Sequence, residues 1–299
     1  MGSHGHDLPF SVDINQVPVG KLQLNDQRFR PYPQFGTIQA AGTVPNENAI
    51  SNYNSLQAQI EQRLSHGLNF SFSYVWSHFL DDLDTAGWGS HFGNQNWQNA
   101  YNPAANYGNS NFDIRNAFKG YILYQLPFGR GKQFLNSNSL VDAVFGGWQI
   151  SDTLVIQSGQ PFTPVMQTDT SYSLAGSNFK LYPNLIGNPR LGSRGINQWF
   201  NEAAFAPPAA GTFGNVHRNQ LTGPGLVTTD LSLGKTFAIW EEVKLQVRGD
   251  AQNLFNHPSF GLPANQLTVV NGAVVTGSST INSVSVPSRT MQVSARVSF

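Results

Sequence analysis

The chain has 299 residues, long enough to bury a sizeable core, yet its formal net charge is +0 and only 11% of its residues are charged. Such a balance gives no reason to expect nucleic acid, whose phosphates require a basic face, and the absence of cysteine excludes disulfides and thiolate metal sites. No run of about 20 apolar residues is present, which excludes a transmembrane helix.

Residues 1–50 read as a leading loop segment, and from residue 51 a period of two sets in. In SLQAQIEQRLS, Leu56, Ala58, Ile60 and Leu64 alternate with Gln57, Gln59, Glu61 and Arg63. Side chains alternate faces along a strand, so this is a strand with one apolar and one polar face. Ser65-His66-Gly67 is a tight turn, and GLNFSFSYVWSHFL follows. There Leu68, Phe70, Phe72, Tyr74 and Trp76 oppose Asn69, Ser71, Ser73 and Ser77. A helix would scatter those aromatics round its axis.

The next strand spans 112–126, with Phe112, Ile114, Phe118, Ile122, Tyr124 and Leu126 on its apolar side. A connector over 127–145 contains a short helix around Leu140–Phe145. Trp148, Ile150, Leu154 and Ile156 mark a further strand, and Val227, Leu231, Leu233 and Phe237 another. After a turn at Ile239-Trp240-Glu241-Glu242 come Val243, Leu245, Val247 and Ala251, and the chain closes on Met291, Val293, Ala295, Val297 and Phe299. Gln62, Asp152 and Lys235 break the pattern on the apolar side, and Lys235 is near a strand end, where a long stem reaches water.

These are about seven strands of roughly 10–15 residues, against about 5–6 in soluble domains and about 9–11 for a bilayer crossing. Short turns alternate with long Gly/Asn/Pro-rich stretches at 1–50, 81–110, 162–225 and 256–288. That alternation is the habit of membrane barrels, with short periplasmic turns at the inner rim and long loops at the outer one. The fold expected is all-β: a partial, antiparallel, up-and-down transmembrane β-barrel of about seven to eight long strands. An eighth strand would come from 1–50 or 262–286, with LTVVNGAVV as a candidate. In the competing reading a secreted soluble module buries the same faces between two sheets. A third reading is a small self-contained pore.

Little catalytic chemistry is present. Asp81, Asp82 and Asp84 follow His78 without the spacing of a calcium loop, and His91, His217 and His257 lack zinc-ligand spacing. Glu241 and Glu242 point apart in a turn, Ser158-Gly159-Gln160 is no nucleophile elbow, and GRGK at 129–132 is no phosphate loop. No enzyme activity, cofactor or metal is expected. Loop aromatics Trp88, Trp97, Tyr101, Tyr107, Tyr172, Tyr182 and Trp199 are the candidates for stacking on a ligand; the competing reading is that they pack the loops together. On the polar side Arg63, Arg115, Lys119, Lys244, Arg248 and Arg296 accompany Glu61, Asp113, Asp230 and Asp250, as for an ion-pair lattice along a lumen.

NYNSLQAQIEQRLSHGLNFSFSYVWSHFLDD resembles a hairpin of TonB-dependent outer-membrane receptors of the Oar-like, acidobacterial type. RNAFKGYILYQLPFGRGKQF with GGWQISDTLVIQSGQPFTP resembles their next strand pair, and GNVHRNQLTGPGLVTTDLSLGKTF with LQVRGDAQNLFNHPSFGLP their closing portion. The terminal VSARVSF resembles the signal, ending here at Phe299, that hands such barrels to their assembly machinery. The resemblance covers roughly 1–299 and implies a barrel of about 22 strands, a plug, and ligand uptake energised through TonB. It also implies a Gram-negative outer-membrane location, lipid and the assembly machinery as partners, and TonB only through a region N-terminal to this chain. Signal peptide, plug and TonB box are absent from these residues, so the expectation is a C-terminal piece not competent for transport alone.

Overall fold

A computed structural model describes residues 1–299 apart from 9, 43–48, 84–96, 130, 136–138, 175–179 and 241. Eight principal strands make one antiparallel sheet: β1 (Gly2–Leu8), β2 (Ala49–Ser65), β3 (Leu68–Asp81), β4 (Asn116–Gln125), β5 (Trp148–Gln157), β6 (Leu226–Trp240), β7 (Val243–Gln252) and β8 (Thr290–Ser298). Each pairs with its neighbour in chain order, so the sheet is an up-and-down meander. The two-residue strand Gly108–Asn109 adds to the outer end of β3. Among the described residues β1 and β8 are free edges, and the sheet is not closed.

Register puts like with like. Ala58, Tyr74, Phe118, Ile156 and Val227 stand opposite one another in a row across five strands. A row of the other face, three residues along, reads Glu61, Ser71, Tyr121, Thr153 and Asp230. A one-residue slip of β3 would turn Phe70, Phe72, Tyr74 and Trp76 to the polar side, so the alternation itself fixes register. Gly120 faces Phe72, and a Cβ there would come within 2.2 Å of the ring; Phe72 covers the glycine and stacks on Phe118 with centroids 5.9 Å apart. The β2–β3 turn needs positive φ twice, at His66 (51°) and Gly67 (82°), the geometry that matches strand twist in a two-residue hairpin.

The apolar face has no second sheet against it among the described residues. Leu56, Ile60, Met291, Val293 and Val297 are 57–79% exposed. Packed interior lies instead in the long connections, which gather at one end as a cap. Its core contains Phe162, Leu181, Phe200, Phe205, Val216 and Leu267, joined by short strand pairs such as Val165–Met166 with Gln266–Leu267. Each buried Leu or Phe there stabilises by about 1.5–3 kcal/mol, which lets loops without regular structure hold a shape.

Three expectations need correction. Residues 1–50 are not loop throughout: Gly2–Leu8 is β1, paired with residues 49–54 of β2. The GSHGHDL stretch has no alternation to read, and its backbone carries the pairing. The strand expected over 112–126 starts at Asn116, because Asp113 closes a turn: its N–H donates to Ser110 O at 3.0 Å and its Oδ1 accepts from Phe79 N at 2.8 Å. LTVVNGAVV supplies no wall strand. Val269–Val270 and Ala273–Val274 fold as a hairpin in the cap, turning on Asn271 and Gly272 with positive φ.

Candidate functional site: the outer loop cap

At the outer end of β3, Asp81 and Arg218 form an ion pair with side chains only 5% and 3% exposed. The guanidinium also donates to the Asp81 carbonyl and, through Nε, to Asn106 O at 2.8 Å. Arg218 sits in the loop before β6, so this pair ties the β3–β4 and β5–β6 connections together. Beside it Asn109 and Asn219 exchange amide hydrogen bonds with each other's carbonyls, at 3.2 and 2.6 Å. Gly108 must be glycine-sized here, since a Cβ would lie 2.7 Å from Arg218 O.

Two buried glutamines extend the network. Gln16 donates to Gln98 O at 3.1 Å and accepts from Ala100 N at 2.7 Å. Gln98 in turn donates to Gly214 O at 3.1 Å and accepts from Tyr182 N at 2.7 Å. Three connections are thereby joined through side-chain amides whose buried polar atoms are satisfied, the condition for such a network to stabilise.

Asp82 is 4% exposed, and its Oδ1 accepts from Ile50 N at 2.9 Å. Burial pushes its carboxyl above the usual carboxylate range, against the opposing pull of that N–H and of Arg218. On the surface, Arg28 holds Asp26 below its ordinary value through hydrogen bonds from its side chain and backbone.

The loop aromatics divide by burial. Trp97 is 1% exposed and donates Nε1–H to Asp82 O at 3.1 Å, so its ring packs loops and presents no face to solvent. Tyr182 is buried as well, its hydroxyl 3.3 Å from Asn106 Oδ1. Tyr101 and Tyr107 are 49% and 37% exposed, with the Tyr101 hydroxyl donating to Gln16 O at 2.7 Å. Tyr172 is half-buried with φ of 57°. Trp199 is half-buried and donates to Thr222 O at 2.9 Å. Trp88, Asp84, His91 and Glu241 lie outside the described residues. Phe299 is 98% exposed at the end of β8. The structure does not bring these aromatics into one surface, and Arg218, Gln16 and Gln98, which organise the cap, carry no motif that sequence reading would find.

The polar face holds local ion pairs. Arg248 donates to Asp250 at 2.6 Å and Arg115 to Asp113 at 2.9 Å, while Arg63 lies 4.0 Å from Glu61. Each joins residues two apart on one chain segment, which neutralises charge without bracing neighbouring strands. Ser232 adds a cross-strand bond to Asp250. Among the described residues no three His, Asp or Glu side chains converge as metal ligands.

Two of the three polar residues on the apolar face, Asp152 and Lys235, find partners. Asp152 accepts from Thr229 Oγ1 at 2.9 and 3.1 Å. Lys235 reaches the inner rim, donating to Val144 O at 2.9 Å and Gly146 O at 2.6 Å, at the C-terminal end of helix α1 (Ser139–Phe145). Its ammonium lies 5.0 Å from the ring centroids of both Trp148 and Phe237. A cation is favoured at a helix C-terminus, and two aromatic faces replace the water it gives up.

Long strands with an uncovered apolar face, two tight turns and a helical connector at one rim and a folded loop cap at the other define the wall of a membrane-spanning β-barrel. The family model for the outer membrane beta barrel domain matches residues 1–292, and the chain belongs to that family. No curated protein and no solved structure matches it. The aromatic face of β3 is the uncovered apolar side of that wall.

Proposed function

We propose that this chain is the C-terminal barrel portion of a TonB-dependent receptor of the Oar-like type, acting in ligand uptake across a Gram-negative outer membrane. The observation that carries the partial-barrel reading is the open sheet. Among the described residues, 56–65 of β2 have a neighbour on one side only, as does β8. Lipid cannot satisfy a free strand edge, so both edges call for further strands. The capped outer end suits capture of a ligand rather than free diffusion, and its chemistry suits passage rather than catalysis. Lipid, the barrel assembly machinery acting at Phe299, and TonB acting through a more N-terminal region are the partners of this reading.

Eight strands of even parity favour a second reading, a small pore closed by β8 on β1 and β2, because about eight strands suffice for closure. Planar-bilayer recording of the isolated chain separates the two. The receptor reading predicts no reproducible unitary conductance; discrete, uniform steps would overturn it in favour of the pore.

A further inference from the structure

A second feature of the cap lies away from the Asp81–Arg218 latch. Residues 188–201 close on themselves: Asn201 N donates to Pro189 O at 2.9 Å, its Nδ2 to Asn188 O at 3.0 Å, and Gly195 N to Gln198 O at 3.0 Å. The ring so formed is pinned to the rest of the cap by Trp199, through Thr222 O and through its own N–H to Ser279 O at 3.1 Å. Between this ring and the strand Leu221–Thr222 opens a cleft of about 70 Å³, where Arg190, Arg194, Trp199, Gln220 and Thr222 stand beside an apolar wall of Pro189, Phe200 and Leu221.

Three properties of the cleft point the same way. Arg194 is held over the Trp199 ring, 5.5 Å from its centroid, a contact that consumes none of its N–H donors. Neither Arg190 nor Arg194 has a carboxylate within ion-pair distance among the described residues, although the chain has as many acids as bases. Gln220, on the wall of the cleft, has its Oε1 buried with no hydrogen-bond partner among the described residues, an acceptor in want of a donor. Two arginine forks beside one unfilled acceptor are complementary to a carboxylate that carries a neighbouring hydroxyl.

We propose that this cleft binds the acidic end of a hydroxy-acid ligand, with an acidic sugar as the class that fits. Its volume is about that of two waters, room for the carboxylate and its neighbour while the remainder of the ligand lies outside. The site belongs to the cap alone and does not depend on the chain being part of a transporter.

The test is calorimetry with glucuronate and with glucose on the full chain folded in detergent. Glucuronate binds and glucose does not. Arg190→Gln and Arg194→Gln each weaken glucuronate roughly tenfold, the loss of one charge-assisted contact. Gln220→Glu, which sets a like charge against the ligand, abolishes binding. Both arginines are exposed, so those variants decide the matter even if Gln220→Glu fails to fold. Equal binding of glucose, unchanged affinity in the arginine variants, or no heat with glucuronate would each overturn the proposal.

Discussion

Arg218 and Asp81 are 137 residues apart in sequence, and the guanidinium of one donates to both the carboxylate and the carbonyl of the other inside the cap. The contact joins the end of a wall strand to the loop that leads into β6. It makes the connections around the outer rim one folded unit.

Removing one partner from a sealed pair leaves a charge without compensation, at a cost of about 3–5 kcal/mol. Arg218→Met should therefore open the cap, seen as rapid protease cleavage within 97–115 and 216–225 while the wall strands stay resistant. The double variant Asp81→Leu/Arg218→Met should recover most of the protection. Equal resistance of the single variant and the parent would show that the pair does not hold the cap.

Asp82 gives the cap a pH dependence of defined sign. Burial raises its folded-state pKa above the ordinary value of 3.8, so the folded protein binds its proton more readily than the unfolded chain does. This group's contribution to stability is then most favourable below 3.8 and is lost as pH rises through the raised folded value. Asp82→Asn keeps an acceptor for Ile50 N and removes the charge. Denaturant titration should find the variant more stable than the parent at neutral pH, with the gap closing in acid.

Lys235 anchors helix α1 to the wall. Lys235→Met leaves the Val144 and Gly146 carbonyls without their donor and should cost roughly 1.5–3 kcal/mol locally. Hydrogen exchange should quicken over 139–147 and stay unchanged in β3; uniform exchange across both would show that the contact carries no weight.

The two faces of β3 should respond oppositely to charge. Phe72→Asp places a carboxylate toward lipid and should sharply lower the yield of heat-modifiable folded protein, within the 2–4 kcal/mol or less typical of lipid-facing charges at mid-depth. Ser73→Asp, one residue on, faces the polar side and should fold normally.

How much of this was legible in the sequence follows from the same physics. β3, expected over 67–80 and found as Leu68–Asp81, was readable because Phe70, Phe72, Tyr74 and Trp76 follow one another on one face. The turn at His66-Gly67 and the helix at Ser139–Phe145 were readable from local chemistry. β1 was not, since GSHGHDL has no apolar side and is held by backbone pairing to Ser51 to Asn54. The cap was not readable either. Phe162, Phe200 and Leu267 meet across a hundred residues without periodicity, and Arg218 finds Asp81 only once the strands between them are paired.

The central claim is that the face bearing Phe72 meets lipid and the face bearing Ser73 meets water. The chain contains no cysteine, so single spin labels can be placed at Phe72→Cys and Ser73→Cys without background. With the protein in lipid vesicles, the label at 72 should be relaxed by oxygen, which concentrates in the bilayer, and shielded from a water-soluble nickel chelate, while the label at 73 should show the reverse. Nickel accessibility at both positions, or oxygen accessibility at both, would contradict the account.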